Sequence, residues 1–225
     1  MFPLYLFFLY MFAVCLCSFG DESGCITNSG HPRLWMKNEA YGMAFFYTIS
    51  VYTFISRATV LDVFSHTNFT PKKLFIFLMG PFSVVLFAIM ESIYSFSFVS
   101  ILSWDSNIWS LMIPVFLAVS FVLTVQGIIL YDDTSDIEWY YPTIFKYWII
   151  YILLTFIYYI TLYSMYYNNN RCVIHIHHST AAFHGALSLW KPSNTILQVA
   201  LNMFMGIAYE GIATYGAPIT LTCEQ

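Results

Sequence analysis

Residues 108–131 read IWSLMIPVFLAVSFVLTVQGIILY and contain no charged side chain. A spanning helix needs roughly 20 mostly apolar residues, so this stretch alone is long enough to cross a bilayer. Further apolar segments run over about 41–56, 74–102, 145–167, 172–190 and 195–217, after a first one at 1–20. Only 9% of the 225 residues are charged, where a soluble domain carries about 25%. With a mean hydropathy of +0.68, such a chain cannot cover itself with polar surface, so lipid is its solvent. In hydrocarbon every backbone donor needs a partner within the protein. The segments lack the strict alternation of barrel strands. The expected fold is therefore all-α, a polytopic transmembrane bundle of six or seven helices.

The helix count depends on the start of the chain. Residues 1–20, MFPLYLFFLYMFAVCLCSFG, are apolar, end in small residues and precede the polar tract DESGCITNSGHPR. That layout fits a secretory signal peptide, although no Lys or Arg opens it. A cleaved signal and a retained first helix both stay open, and residues 21–225 form a single membrane domain either way. No repeat of 20–50 residues recurs, which argues against a solenoid. A net charge of −4 with 8 Lys+Arg offers no footprint for nucleic acid. The expected partners are the lipid bilayer and other membrane subunits.

Loop charges suggest an orientation. Arg57, Lys72 and Lys73 flank one loop, Lys146 another and Lys191 a third, and these loops alternate along the chain. The positive-inside rule makes that side cytoplasmic, although Arg33, Lys37 and Arg171 on the other side dilute the bias. Cys25, Cys172 and Cys223 then fall on the non-cytoplasmic side, where two of the three are disulfide candidates. The sequon Asn68-Phe69-Thr70 falls on the cytoplasmic side and is expected to be unglycosylated. An endoplasmic-reticulum or other secretory-pathway membrane follows as the expected location, with the mitochondrial inner membrane as the alternative.

Four of the six histidines lie in HIHHSTAAFHG, residues 175–185. Polar residues at membrane depth are costly and usually face the bundle interior. Read as one helix over 172–190, the segment puts His175 and His178 on one face and His177 and His184 on the opposite face. His177 and His184 are two turns apart, roughly 10 Å, so four histidines cannot hold one ion. The short turn WKPSN at 190–194 predicts an antiparallel hairpin with the next span. Pairing Trp190 with Asn194 brings Glu210 opposite Ile174, within about one turn of His175 and His178. Gly206, Glu210, Ala213 and Ala217 then form a small-residue face for close packing against the histidine segment. Glu91 is the other carboxylate inside an apolar span.

His175, His178, Glu210 and Glu91 are therefore the candidate metal ligands. Two imidazoles and a carboxylate suit zinc with an open position, or non-haem iron. The simpler reading needs no cofactor, because His–Glu hydrogen bonds between helices satisfy buried polar groups. His177, His184 and Tyr215 are expected to be structural polar residues. Other signals are weaker. Asp132-Asp133-x-x-Asp136 lacks the second aspartate-rich motif of diphosphate chemistry and reads as a solvated loop. Gly80-Pro81 predicts a kink or a helix start near Phe82. Gln126-Gly127 and Gln198 are expected in interhelical hydrogen bonds.

The strings HIHHSTAAFHG and EGIATYGAPI together resemble a His-x-His-His plus EGIA-x-YG pattern of uncharacterised polytopic membrane proteins of eukaryotes. The resemblance covers about 172–219. It implies that His175, His177, His178, Glu210 and Tyr215 belong to one structural unit, and it implies no activity. The expected function is a non-catalytic subunit or accessory protein of a membrane complex. The alternatives are a membrane-embedded His/Glu metalloenzyme acting on a lipid, and a transporter.

Overall fold

Apolar segments without access to water close their backbone hydrogen bonds locally, and they do so here as helices. The computed structural model describes residues 2–19, 38–54, 70–93, 106–132, 141–168, 172–176, 178–215 and 219–223. Among them are helices α1 (Phe2–Phe19), α2 (Asn38–Phe54), α3 (Pro71–Ile93), α4 (Ser106–Asp132), α5 (Tyr141–Asn168), α6 (His178–Ser188) and α7 (Thr195–Tyr215). An antiparallel two-stranded ribbon pairs β1 (Cys172–Ile176) with β2 (Ile219–Cys223). Four stretches are long and apolar enough to cross a membrane: Pro71–Met90, Ile108–Asp132, Ile144–Leu162 and Thr195–Thr214. The protein is a helical membrane protein on that basis. Pro3–Leu16 is apolar but shorter.

The ribbon corrects one expectation. Residues 172–190 are not a single helix, because Cys172–Ile176 is a strand and α6 begins only at His178. The reason lies in the side chains. Val173, Ile174 and Ile176 are β-branched, and so are their ladder partners Thr222 and Ile219, with Leu221 opposite Ile174. Such residues fit a pleated ladder better than a helix. A helix of 11 residues is also too short to span.

Burial ranks the helices. In the apolar window of α7, 72% is buried, against 22% in α3, 11% in α4 and 6% in α5. Thus α7 is the core helix, packed by α1, α2, α3, α4 and α6. The outer faces of α4 and α5 carry Phe116, Leu117, Phe121, Leu153, Leu154, Phe156 and Ile157, all exposed. An apolar surface of this kind is compatible with contact to lipid tails. Tyr5, Leu6, Leu9, Tyr10, Ala13 and Val14 of α1 are buried in the core cluster, a stripe at helical spacing.

Helix directions follow from contacts. Ser83 of α3 reaches the carbonyl of Met203, and Phe87, one turn on, packs on His178, which bonds Glu210 of α7. So α3 and α7 run the same way. Trp148 of α5 bonds the Ser188 carbonyl and Tyr151 reaches His184, so α5 runs against α6 and with α7. The starts of α3, α5 and α7, beside Lys72, Lys73, Lys146 and Lys191, therefore share one end of the bundle. The ribbon lies at the other.

A small-residue crossing joins α1, α3 and α7. Pro81 lies inside α3, yet the helix neither stops nor restarts there. A proline has no N–H and leaves the carbonyl of the residue four earlier without its helical donor. That residue is Phe77, and the Tyr5 hydroxyl donates to its carbonyl at 2.8 Å. Ser83 Oγ bonds the Gly80 carbonyl at 2.7 Å and lies 3.1 Å from that of Met203. A methyl group at Gly80 would overlap Tyr5 and Leu9, and one at Gly206 would overlap Ser83 and the Gly80 carbonyl. Gly206 therefore packs on α3, not on the histidine segment as expected.

Candidate functional site

The α6–α7 hairpin positions the site. Its turn is closed by Asn194, whose side-chain oxygen accepts the Leu197 N–H at 2.9 Å and whose carbonyl accepts that of Gln198 at 3.0 Å. This is an N-cap, and it fixes where α7 begins. At the other end of the hairpin, His178 opens α6 and meets Glu210 on the penultimate turn of α7.

His178 Nε2 lies 2.8 Å from Glu210 Oε2, with side-chain exposures of 8% and 3%. Thr214, one turn on, donates its hydroxyl to Glu210 Oε1 at 2.8 Å. The carboxylate thus accepts on both oxygens, which fits His178 carrying its proton on Nε2. Gly211 makes this approach feasible, since a methyl there would overlap Ser179 Cβ and His178 Nε2. The Phe87 ring covers the imidazole with centroids 5.4 Å apart. Ser179 Oγ is buried beside the pair without a hydrogen-bond partner among the described residues.

Of the four candidate ligands, the structure brings His178 and Glu210 together. His175 is a β1 residue whose ladder partner is Thr220, so it does not share a helical face with His178. Its side chain lies outside the described residues. Glu91 sits one turn beyond Phe87 on α3, and its side chain is likewise outside them. So are His177, the side chain of Tyr215, Cys25, Asn68 and Asp133–Asp136. Among the described residues no group of three His, Cys, Asp or Glu side chains converges as a metal site would require. A zinc or iron ion at His178 and Glu210 would have to break their mutual hydrogen bond and recruit His175 or Glu91.

His184 faces the other way, toward α5. Tyr151 Oη is 3.1 Å from its Nδ1, and the rings of Tyr158, Tyr159 and Phe183 surround it at 5.8–6.1 Å. The expected opposition of His178 and His184 on one helix is therefore seen, and His184 serves as a packing residue. Trp148 donates its indole N–H to the Ser188 carbonyl at 2.8 Å, covering one of the open carbonyls at the end of α6. Gly127 leaves room for that ring.

Two features were not expected. An apolar cavity of about 200 Å³ opens between α3, α4, α6 and α7. Phe87, Met112, Val119, Phe204 and Ile207 line it, and His178 is the one polar side chain on its wall among the described residues. Gly185 and Ala181 border this space, and at Gly185 the Phe204 ring of α7 comes within 3.2 Å of where a methyl group would sit. The second is Gln126, fully buried on α4 with neither amide atom hydrogen-bonded among the described residues. Comparison with protein-family models, curated proteins and solved structures finds no match to the chain.

Proposed function

We propose that the protein is a non-catalytic integral subunit or accessory protein of a membrane complex, with His178–Glu210 as the lock of its core hairpin. The observation that carries this reading is the use of both Glu210 oxygens, one by His178 and one by Thr214. A carboxylate spent on packing contacts is not poised to move a proton or hold an ion. In this reading the buried pair sets the register of the hairpin rather than adding net stability. The lipid-facing α4 and α5 supply surface for neighbouring subunits as well as for acyl chains. The membrane proposed is that of the secretory pathway, with the mitochondrial inner membrane as the rival. The resemblance to uncharacterised eukaryotic membrane proteins supports one unit built from the two segments and no more.

One observation favours a second reading. The apolar cavity has His178 on its wall, so a metal-assisted reaction on a lipid chain would have a place for its substrate. That site would need His175 or Glu91 as a further ligand. Metal stoichiometry and partner content of the protein purified from its own membranes separate the two. The subunit reading expects a partner at fixed stoichiometry and trace metal unchanged by His178→Ala. One equivalent of zinc or iron that is lost in His178→Ala would overturn it.

A further inference from the structure

The ribbon places two cysteines at partner positions. Cys172 opens β1, Cys223 closes β2, and the antiparallel register pairs them directly. Directly opposed residues in such a ladder share a face of the ribbon. Their Cα atoms are about 4.5–5.5 Å apart, inside the roughly 4.4–6.8 Å range that a disulfide bridges. We propose that Cys172 and Cys223 form a disulfide that clasps the outer end of the β1–β2 ribbon.

One observation and two physical arguments support the bond. The first is the register itself, which selects one pair from the three candidate cysteines. The second is position. The ribbon lies at the bundle end opposite Lys72, Lys73, Lys146 and Lys191, which the positive-inside rule assigns to the oxidising side. The third is need. An isolated two-stranded ribbon is marginal in water, and Cys172–Cys223 is the pair farthest from the Ile176–Ile219 pair that joins it to α6 and α7. A clasp there stops fraying just outside the His178–Glu210 pair.

The oxidant is a protein disulfide carrier, by thiol–disulfide exchange. One thiolate of the pair attacks the carrier disulfide, forming a mixed disulfide and releasing one carrier thiolate. The second thiolate of the pair attacks the chain sulfur of that mixed disulfide and releases the other carrier thiolate. One S–S bond is broken and one is made. The carrier gains two electrons and the two protons that the cysteines lose.

The test uses the full chain in its own membranes and does not depend on any role of His178 or Glu210. Free thiols are blocked with N-ethylmaleimide before lysis, and the chain is digested without reduction for mass spectrometry. The expected result is a Cys172–Cys223 linked peptide as the dominant form, unchanged in Cys25→Ser. Cys223 should become alkylated in Cys172→Ser. If that variant does not accumulate, the wild-type map decides alone. Cys172 and Cys223 both alkylated in the wild type, or either linked to Cys25, would overturn the proposal.

Discussion

At the scale of single residues, missing atoms matter as much as polar ones. His178 and Glu210 approach to 2.8 Å because residue 211 has no side chain. Gly211→Ala puts a methyl group into Ser179 and His178, and overpacking of this kind costs about 1–3 kcal/mol. The expected outcome is a lower unfolding midpoint in detergent, whereas Gly42→Ala, whose added methyl meets no atom of the described residues within 4 Å, is not destabilised. The hydroxyl of Tyr5 has a comparably local task, to replace the donor that Pro81 lacks. Tyr5→Phe should cost about 1 kcal/mol in the wild type and clearly less in a Pro81→Ala background, where the Phe77 carbonyl regains a helical donor at residue 81. Equal costs in both backgrounds, measured by the same unfolding assay, would disconnect the hydroxyl from the proline.

At the scale of elements, the long apolar helices were legible because length and composition decide them. The segments near 108–131, 145–167 and 195–217 correspond to α4, α5 and α7 within a few residues. The strand β1 was not legible from hydropathy, since CVIHI is as apolar as a helix. Its signal was the β-branched run and a matching run, ITLTC, far along the chain, which a local reading does not pair. The hairpin turn brought Glu210 to His178, because a short turn fixes the register of both arms, but the part of that expectation that rested on a helix through His175 fell with the strand. The assignment of Gly206 failed because Gly206 and Glu210 are only about 40° apart on α7, and a face read from the sequence does not say that α3 takes one edge of it and α6 the other. Gly206 and Gly211 are about 140° apart on α7, one for α3 and one for α6. The role of residues 1–20 was left open by the sequence. In the fold, Tyr5, Leu9 and Tyr10 of α1 fill the core, so α1 is expected to stay in the mature protein. Peptide mapping of the protein from its native membrane should recover residues 2–19, and a mature chain that starts after Gly20 would contradict this.

At the scale of the whole molecule, the described helices are organised around α7, with the exposed apolar faces of α4 and α5 outside and the polar pair near one end. The cavity beside His178 and a Gln126 amide without a partner among the described residues could not be read from the sequence, because both arise from how three or four helices meet rather than from any one of them. The central claim is that His178 and Glu210 act as one buried unit that locks the hairpin into the fold. Breaking such a pair by removing one partner costs about 3–5 kcal/mol, since the other is left buried without it. The most direct measurement is a double-mutant cycle with His178→Ala and Glu210→Ala, read by reversible unfolding in mixed micelles. The expected result is that the double variant is less destabilised than the two single losses combined, by about 1 kcal/mol or more. Single losses that add to within about 0.3–0.5 kcal/mol would show that the two side chains do not hold the hairpin together.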